Sequence, residues 1–269
     1  MSKATERGER FLMFTTLILV NFFPITVYIL PLDLYFSTSA TIFLAASLAF
    51  TLLNAIFCLC YKGFVLKANF KNLTLDETAK SCSICAQFKP ERAHHCSTCE
   101  NCIKKMDHHC HWLGRCINYD NHGYFIKFLG SMFLNTTVLL YINGYIAYQI
   151  LVNGKYDPTS TQSFTLIVSS MVSGLLFVVS GMHFGKQLQM LTKNVTYLES
   201  LHCQHFGFLE SDSPYNINLK HNIEDVFGPM KYLFLGKPKG NGIVFKKKYD
   251  IAYWPKHFKF SEQMYVEDL

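Results

Sequence analysis

The 269-residue chain is half apolar, only 16% charged, and carries a net charge of +6. So little charge excludes a disordered chain and is lean for a soluble globular domain, which makes a lipid-embedded protein the first class to test. Ten cysteines raise disulfides or metal sites, and their position along the chain decides between the two.

Residues 1–10 form a charged leader. Residues 11–32, 34–61, 128–154 and 158–185 contain no charged residue, and each exceeds the roughly 20 residues that cross a hydrocarbon core. Lipid offers the backbone no hydrogen-bond partners, so each stretch is predicted to be helical. The first is too long for a signal-peptide core and lacks a convincing small-residue cleavage site, so it reads as a retained helix. Lysines and arginines number three in the leader, nine in residues 62–122 and eleven from residue 186 onward, while the short connections within each pair of spans share only Lys155. The positive-inside rule then predicts that both termini and the middle segment are cytosolic.

The predicted fold is an α-helical integral membrane protein with four transmembrane helices and a small cytosolic cysteine-rich domain between helices two and three. Its expected boundaries are a leader at 1–10, two helices within 11–61, the cysteine-rich domain at 62–123, two helices within 124–191, and a cytosolic region at 192–269. No internal repeat and no low-complexity segment is read. Gly181 and Gly185 form a small-xxx-small pair suited to helix packing. Residues 243–260, mixed aromatic and basic, read as a segment lying on the membrane surface.

All the closely spaced cysteines fall on the basic side. Cytosolic reductants keep thiols reduced there, so metal binding or catalysis is the expectation for them. Zinc takes four nitrogen or sulfur ligands in structural sites, and Cys-x2-Cys turns supply thiolates in pairs. Six cysteines (Cys82, Cys85, Cys96, Cys99, Cys102, Cys116) and two histidines (His95, His109) make the eight ligands of two sites, leaving Cys110 and His108 over. Spacing does not say which ligands share an ion: sequential and interleaved groupings both remain open. A segment this short and poor in aliphatic residues needs metal binding to fold.

The order Cys82-x2-Cys85-x9-His95-Cys96-x2-Cys99-x2-Cys102-x4-Asp107-His108-His109-Cys110-x5-Cys116-x4-Asn121-x3-Phe125 resembles the cysteine-rich domain of the DHHC protein S-acyltransferases. The resemblance implies an enzyme that moves a long acyl chain, typically palmitoyl from palmitoyl-CoA, to cysteines of other proteins through an acyl-enzyme. It implies two structural zinc ions held in interleaved sites, one by Cys82, Cys85, His95 and Cys102, the other by Cys96, Cys99, His109 and Cys116. It also implies Cys110 as the acylated nucleophile, His108 as its base, and Asp107 as the group that orients the imidazole. Trp112 and Phe125 match family positions and are expected near the thioester end of the acyl chain. Lys89 and Arg92, in a Lys-Pro-x-Arg pattern, are expected to meet CoA phosphates, with Lys105 and Arg115 as weaker candidates. The expected partners are acyl-CoA, the bilayer, and cytosolic or membrane proteins with juxtamembrane cysteines, with no nucleic acid. The expected location is the endomembrane system, Golgi or endoplasmic reticulum.

The chemistry is coherent on general grounds. A thiol of pKa about 8.5 is about 3% ionised at pH 7, and lowering that pKa to about 6.5 makes it about 75% ionised. Burial opposes ionisation, so a neighbouring imidazole and a fixed carboxylate are needed to activate the thiol. Adjacent residues on a strand point to opposite faces, so His108 can serve the thiol while His109 serves a metal.

Departures from the family pattern are local. His111 follows the nucleophile where proline is usual, and an Asp-Pro-Gly element after the second span is missing. Residues 196–199, Thr-Tyr-Leu-Glu, resemble a Thr-Thr-x-Glu element with Tyr197 in place of the second threonine. Residues 215–228 resemble the family's C-terminal element, with Asn222 as its structural asparagine. The competing readings are a membrane-anchored zinc-binding adaptor and a catalytically inactive relative.

Overall fold

A computed structural model describes residues 34–66, 80–152, 159–230 and 240–249, together with residues 8, 11, 15, 238 and 254. Five α-helices and three short hairpins follow one another in the described chain. Helix α1 (Leu34–Cys60) precedes the hairpins, α2 (His122–Leu151) and α3 (Ser160–Lys193) follow them, and α4 (Tyr197–Phe206) and α5 (Leu219–Phe227) close the order, with a 3-10 turn at Glu210–Asp212 between them. The segments Thr38–Cys60, His122–Leu151 and Gln162–Lys193 are long and apolar enough to cross a membrane. The first expected span, residues 11–32, lies almost wholly outside the described residues.

The chain divides into two compact units: Phe57–Tyr124 with Gln187–Leu269, and Ser2–Ile56 with Phe125–Lys186. The second unit is helical where it is described. Leu44, Leu139, Ile142 and Ile146 form its buried core. Along α3 the large side chains Phe164, Ile167, Val168, Met171, Leu175, Val178 and Met182 are exposed. They recur at helical spacing, and such an apolar face suits hydrocarbon rather than water. A Cβ on Gly181 would stand 2.9 Å from the Phe133 ring, so this glycine does admit a close neighbour, whereas Gly185 faces open space.

The first unit is built on hairpins too small to hold a hydrophobic core of their own. Strands β1 (Ser81–Cys82) and β2 (Gln87–Phe88), β3 (His94–Cys96) and β4 (Asn101–Ile103), and β5 (His108–Cys110) and β6 (Arg115–Ile117) pair antiparallel. Their registers repeat: Cys82 faces Gln87, Cys96 faces Asn101, and Cys110 faces Arg115. Each turn also carries one left-handed residue at the same place, Ala86 (φ 47°), Glu100 (φ 54°) and Gly114 (φ 52°). The cysteine-rich segment is therefore a threefold repeat at 14-residue spacing, which corrects the expectation of no repeat. It escapes sequence inspection because few positions beyond the ligands recur.

Between the ligands, Ile103, Met106 and the sulfurs of Cys96 and Cys116 make a small buried cluster. Asn121 ties the third hairpin to the end of α1: its Nδ2 donates to the carbonyls of Cys58, Tyr61 and Cys116 at 3.2, 3.0 and 3.0 Å. The region after α3 is held by caps. Thr196 and Glu199 form a reciprocal capping box at the start of α4, and Gly207 (φ 71°) ends the helix, satisfying donors and acceptors that helix termini leave over. Asn222, fully buried, donates to the Thr192 carbonyl at 2.7 Å and to Asn216 Oδ1 at 2.9 Å. Ile243 and Phe245 are buried, and Phe245 packs with Tyr119 and Tyr215. The start of the segment expected on a membrane surface thus docks on its own unit, because Phe245 joins the aromatic cluster of Tyr119 and Tyr215 there.

Candidate active site

The hairpins gather the predicted ligands into two sets, Cys82, Cys85, His95 and Cys102, and Cys96, Cys99, His109 and Cys116, with the four donor atoms of each within 4.8 Å of one another. The grouping is interleaved. Each set takes a Cys-x2-Cys turn from one hairpin and a cross-strand His–Cys pair, His95↔Cys102 or His109↔Cys116, from the next. In a tetrahedral zinc site, sulfur and nitrogen ligands stand about 3.6 Å apart. His109 Nδ1 lies 3.5 Å from each of the sulfurs of Cys96, Cys99 and Cys116. His95 Nδ1 lies 3.7 Å from Cys82 Sγ and 3.2 Å from Cys85 Sγ. None of the ten cysteines forms a disulfide, and each set can hold a metal ion.

The repeat explains which cysteine is left over. Cys82, Cys96 and Cys110 occupy one position of the repeat; Cys85, Cys99 and Leu113 occupy the position three residues on. The third turn carries a buried leucine where the other two carry a ligand. Cys110 therefore stands in a ligand's place without a ligand's partner.

Behind Cys110 lies a chain of polar contacts. His108 Nδ1 donates to Asp107 Oδ2 at 2.8 Å, and the Cys110 sulfur is among the groups that act on the charge of the same imidazole. Burial alone would lower the pKa of His108, but the interactions with Asp107 and Cys110 outweigh it and raise it to about 9. Asp107 is completely buried. Burial alone would raise its carboxyl, yet the imidazoles of His122 and His108 and the Tyr197 N–H hold it well below the usual carboxylate range. Asp107 Oδ1 accepts from the Tyr197 backbone N–H at 2.6 Å, and Oδ2 accepts from Gln187 Nε2 at 2.8 Å. The substitution of tyrosine for threonine at 197 leaves this backbone donor intact. The Tyr197 ring stands edge-on to His108, 6.0 Å between centroids.

The four residues expected around the donor substrate fare differently. Trp112, one residue beyond His111, is 38% exposed. Lys89 is half-buried beside the first hairpin. Phe125 is buried in the helical unit, where it stacks with Phe128 at 6.3 Å. Arg92 does not offer its guanidinium to solvent. Its Nε and Nη2 fork onto Glu199 at 2.7 Å each, Nη2 and Nη1 donate to Asn194 at 3.0 and 3.2 Å, and the group lies 4.0 Å from the centre of the Tyr215 ring. Lys105 is likewise committed, buried with its Nζ 2.6 Å from Asp225 Oδ2. The expectation of phosphate contact fails for these two because both are buried with their donors engaged inside the protein. Arg92 pins the segment carrying Glu199, and Lys105 pins α5, against the hairpins instead.

Sequence reasoning missed Gln187, Asn194 and Asp225. Their partners lie far away in the chain, and nothing in their local sequence marks them.

Residues 75–204, which contain both ligand sets and the Asp107–His108–Cys110 cluster, match the family model described as DHHC palmitoyltransferase. Palmitoyltransferase ZDHHC15 of Homo sapiens is 31% identical over 172 residues, 61% of this chain and 49% of the relative. The proteins of the same name from Rattus norvegicus and Mus musculus match to the same extent. The chain spans about half the length of these curated relatives. With both ligand sets and the reactive cluster assembled inside the matched segment, residues 75–204 form a domain of the DHHC palmitoyltransferase family.

Proposed function

We propose that the chain is a protein S-acyltransferase that carries a long acyl group, palmitoyl in the first instance, from acyl-CoA to protein cysteines through a Cys110 thioester. The observation that carries this reading is the position of Cys110: it shares its hairpin with two metal ligands, yet stands outside both ligand sets and against the His108–Asp107 pair.

His108 takes the thiol proton of Cys110, and Asp107 holds the resulting imidazolium in place. The Cys110 sulfur attacks the thioester carbonyl; the carbon–sulfur bond to CoA breaks, and the CoA sulfur leaves with the proton from His108. In the second half the acceptor thiol gives its proton to His108 and attacks the Cys110 thioester, and Cys110 leaves as the thiol. One thioester replaces another at each stage, so no further energy source is needed, and the kinetics are ping-pong.

Both ligand sets fit zinc by donor type and spacing, and each supplies four ligands. The ions would staple the hairpins and hold Cys110 in register, with no open coordination position for substrate.

The same reading puts four spans in the bilayer, with boundaries near 11–61 and 124–191, and residues 1–10, 62–123 and 192–269 in the cytosol. It puts the protein in an endomembrane. The acyl tail lies among the helices, which removes about 0.8 kcal/mol of apolar exposure per methylene. Trp112 and Phe125 sit toward the thioester end, and Lys89 faces the CoA phosphates. The acceptors are proteins with juxtamembrane cysteines.

Incubating the purified protein with a clickable acyl-CoA is expected to give a hydroxylamine-sensitive label. Cys110→Ser is expected to abolish it at an unchanged content of two zinc ions. Label that persists in Cys110→Ser overturns the proposal.

A further inference from the structure

We propose that Gln187 is a positioning residue for acyl transfer, acting through Asp107; the inference rests on the acyl-transfer reading of Cys110. Gln187 lies in the last turns of α3 and is 5% exposed. Its side chain bridges two buried groups. Nε2 donates to Asp107 Oδ2 at 2.8 Å, and Oε1 accepts from His122 Nε2 at 2.7 Å.

The direction of the amide is fixed by these neighbours. An ionised carboxylate only accepts hydrogen bonds, so the amide nitrogen must face Asp107. The amide oxygen then faces His122 and requires a proton on that ring's Nε2. Turning the amide over would set oxygen against carboxylate and N–H against N–H. Both outer groups are buried, His122 at 4% and Asp107 at 0% exposure. No solvent stands ready to replace a lost bond.

The consequence falls on His108. Asp107 Oδ2 receives two donors, His108 Nδ1 and Gln187 Nε2, while Oδ1 receives Tyr197 N–H. Rotating the carboxylate about its own bond would disturb all three. Gln187 comes from a helix and Tyr197 from the capped start of the next one, so the carboxylate is held from two elements besides its own. The fixed carboxylate in turn fixes the His108 ring, whose alignment with Cys110 decides the rate of proton transfer. Small misplacements of such groups cost up to about 100-fold in rate.

The test compares full-length wild type with Gln187→Met, which keeps length and volume but removes both hydrogen bonds, and Gln187→Glu, which keeps shape but replaces the donor by a carboxylate. Single-turnover acylation of Cys110 is followed as a function of palmitoyl-CoA concentration, alongside zinc content. The expected result is a maximal rate slowed by about 10- to 100-fold in either variant, with a half-saturating acyl-CoA concentration within about threefold of wild type and two zinc ions retained. In an Asp107→Ala background, Gln187→Met should slow the reaction little further, because its effect passes through the carboxylate.

Wild-type rates in both variants overturn the inference, as does a defect that adds in full to that of Asp107→Ala. Loss of zinc in both variants assigns Gln187 to folding and overturns it too. The underlying reading fails separately, by label that survives Cys110→Ser.

Discussion

At the scale of single residues, the site depends on buried charge held by partners distant in sequence. Arg92 and Glu199 are separated by 107 positions, and their side chains are 1% and 3% exposed. Removing one member leaves an uncompensated buried charge, which costs about 3–5 kcal/mol. Arg92→Ala is therefore expected to lower the thermal midpoint strongly. Arg92→Lys should recover little of the loss, since an ammonium cannot reproduce the two-point fork; full recovery by lysine would refute the geometry. His108 gives a pH-dependent prediction. Its pKa is raised from 6.5 to about 9 in the folded protein, so its contribution to stability is complete below about pH 6.5 and is lost as pH rises through about 9. Melting curves between pH 6.5 and 10 should show this decline in wild type and a smaller one in His108→Gln. Equal declines would contradict it.

At the scale of elements, the hairpin is the unit of construction. The ligand positions were legible in the sequence because Cys-x2-Cys turns are local and zinc chemistry demands four donors. The grouping was not legible from spacing, because it depends on the cross-strand register: His95 meets Cys102 and His109 meets Cys116 only once the strands pair. The threefold repeat became visible only through equivalent registers and equivalent left-handed turn residues at Ala86, Glu100 and Gly114. It yields a prediction about the third turn. Leu113→Cys places a second thiol where Cys85 and Cys99 stand in the first two hairpins, and gives Cys110 a partner for a soft metal. Micromolar cadmium should then suppress acyl labelling at least about tenfold in the variant while sparing wild type, since thiolate pairs favour such ions. Equal sensitivity would show that the third turn is not equivalent to the others.

At the scale of the whole molecule, the apolar stretches were legible from charge content alone, and among the described residues three of them form helices long enough to span a bilayer. Tertiary partnerships were less so. Arg92 reads from its Lys-Pro-x-Arg context as a surface cation, and the fold buries it against Glu199 and Tyr215. The segment from Ile243 reads as interfacial, and Ile243 and Phe245 turn inward. In both cases the deciding partners lie beyond any local window. The two units also rest on different forces: the helical unit has an aliphatic core, whereas the hairpin unit has small clusters among metal ligands. A strong chelator should therefore unfold the hairpin unit first. Hydrogen exchange should rise across residues 81–117 while α2 and α3 keep their protection. Simultaneous loss of protection throughout would contradict this division.

The central claim is that Cys110 is left outside the metal sites so that it can carry an acyl group. Its most direct test is mass spectrometry of the zinc-loaded protein after a single exposure to palmitoyl-CoA. The account predicts one palmitoyl adduct, mapped to Cys110, released by hydroxylamine and transferred to an added acceptor thiol, with both metal ions still bound. An adduct confined to other cysteines, or a metal ion bound at Cys110, would contradict it.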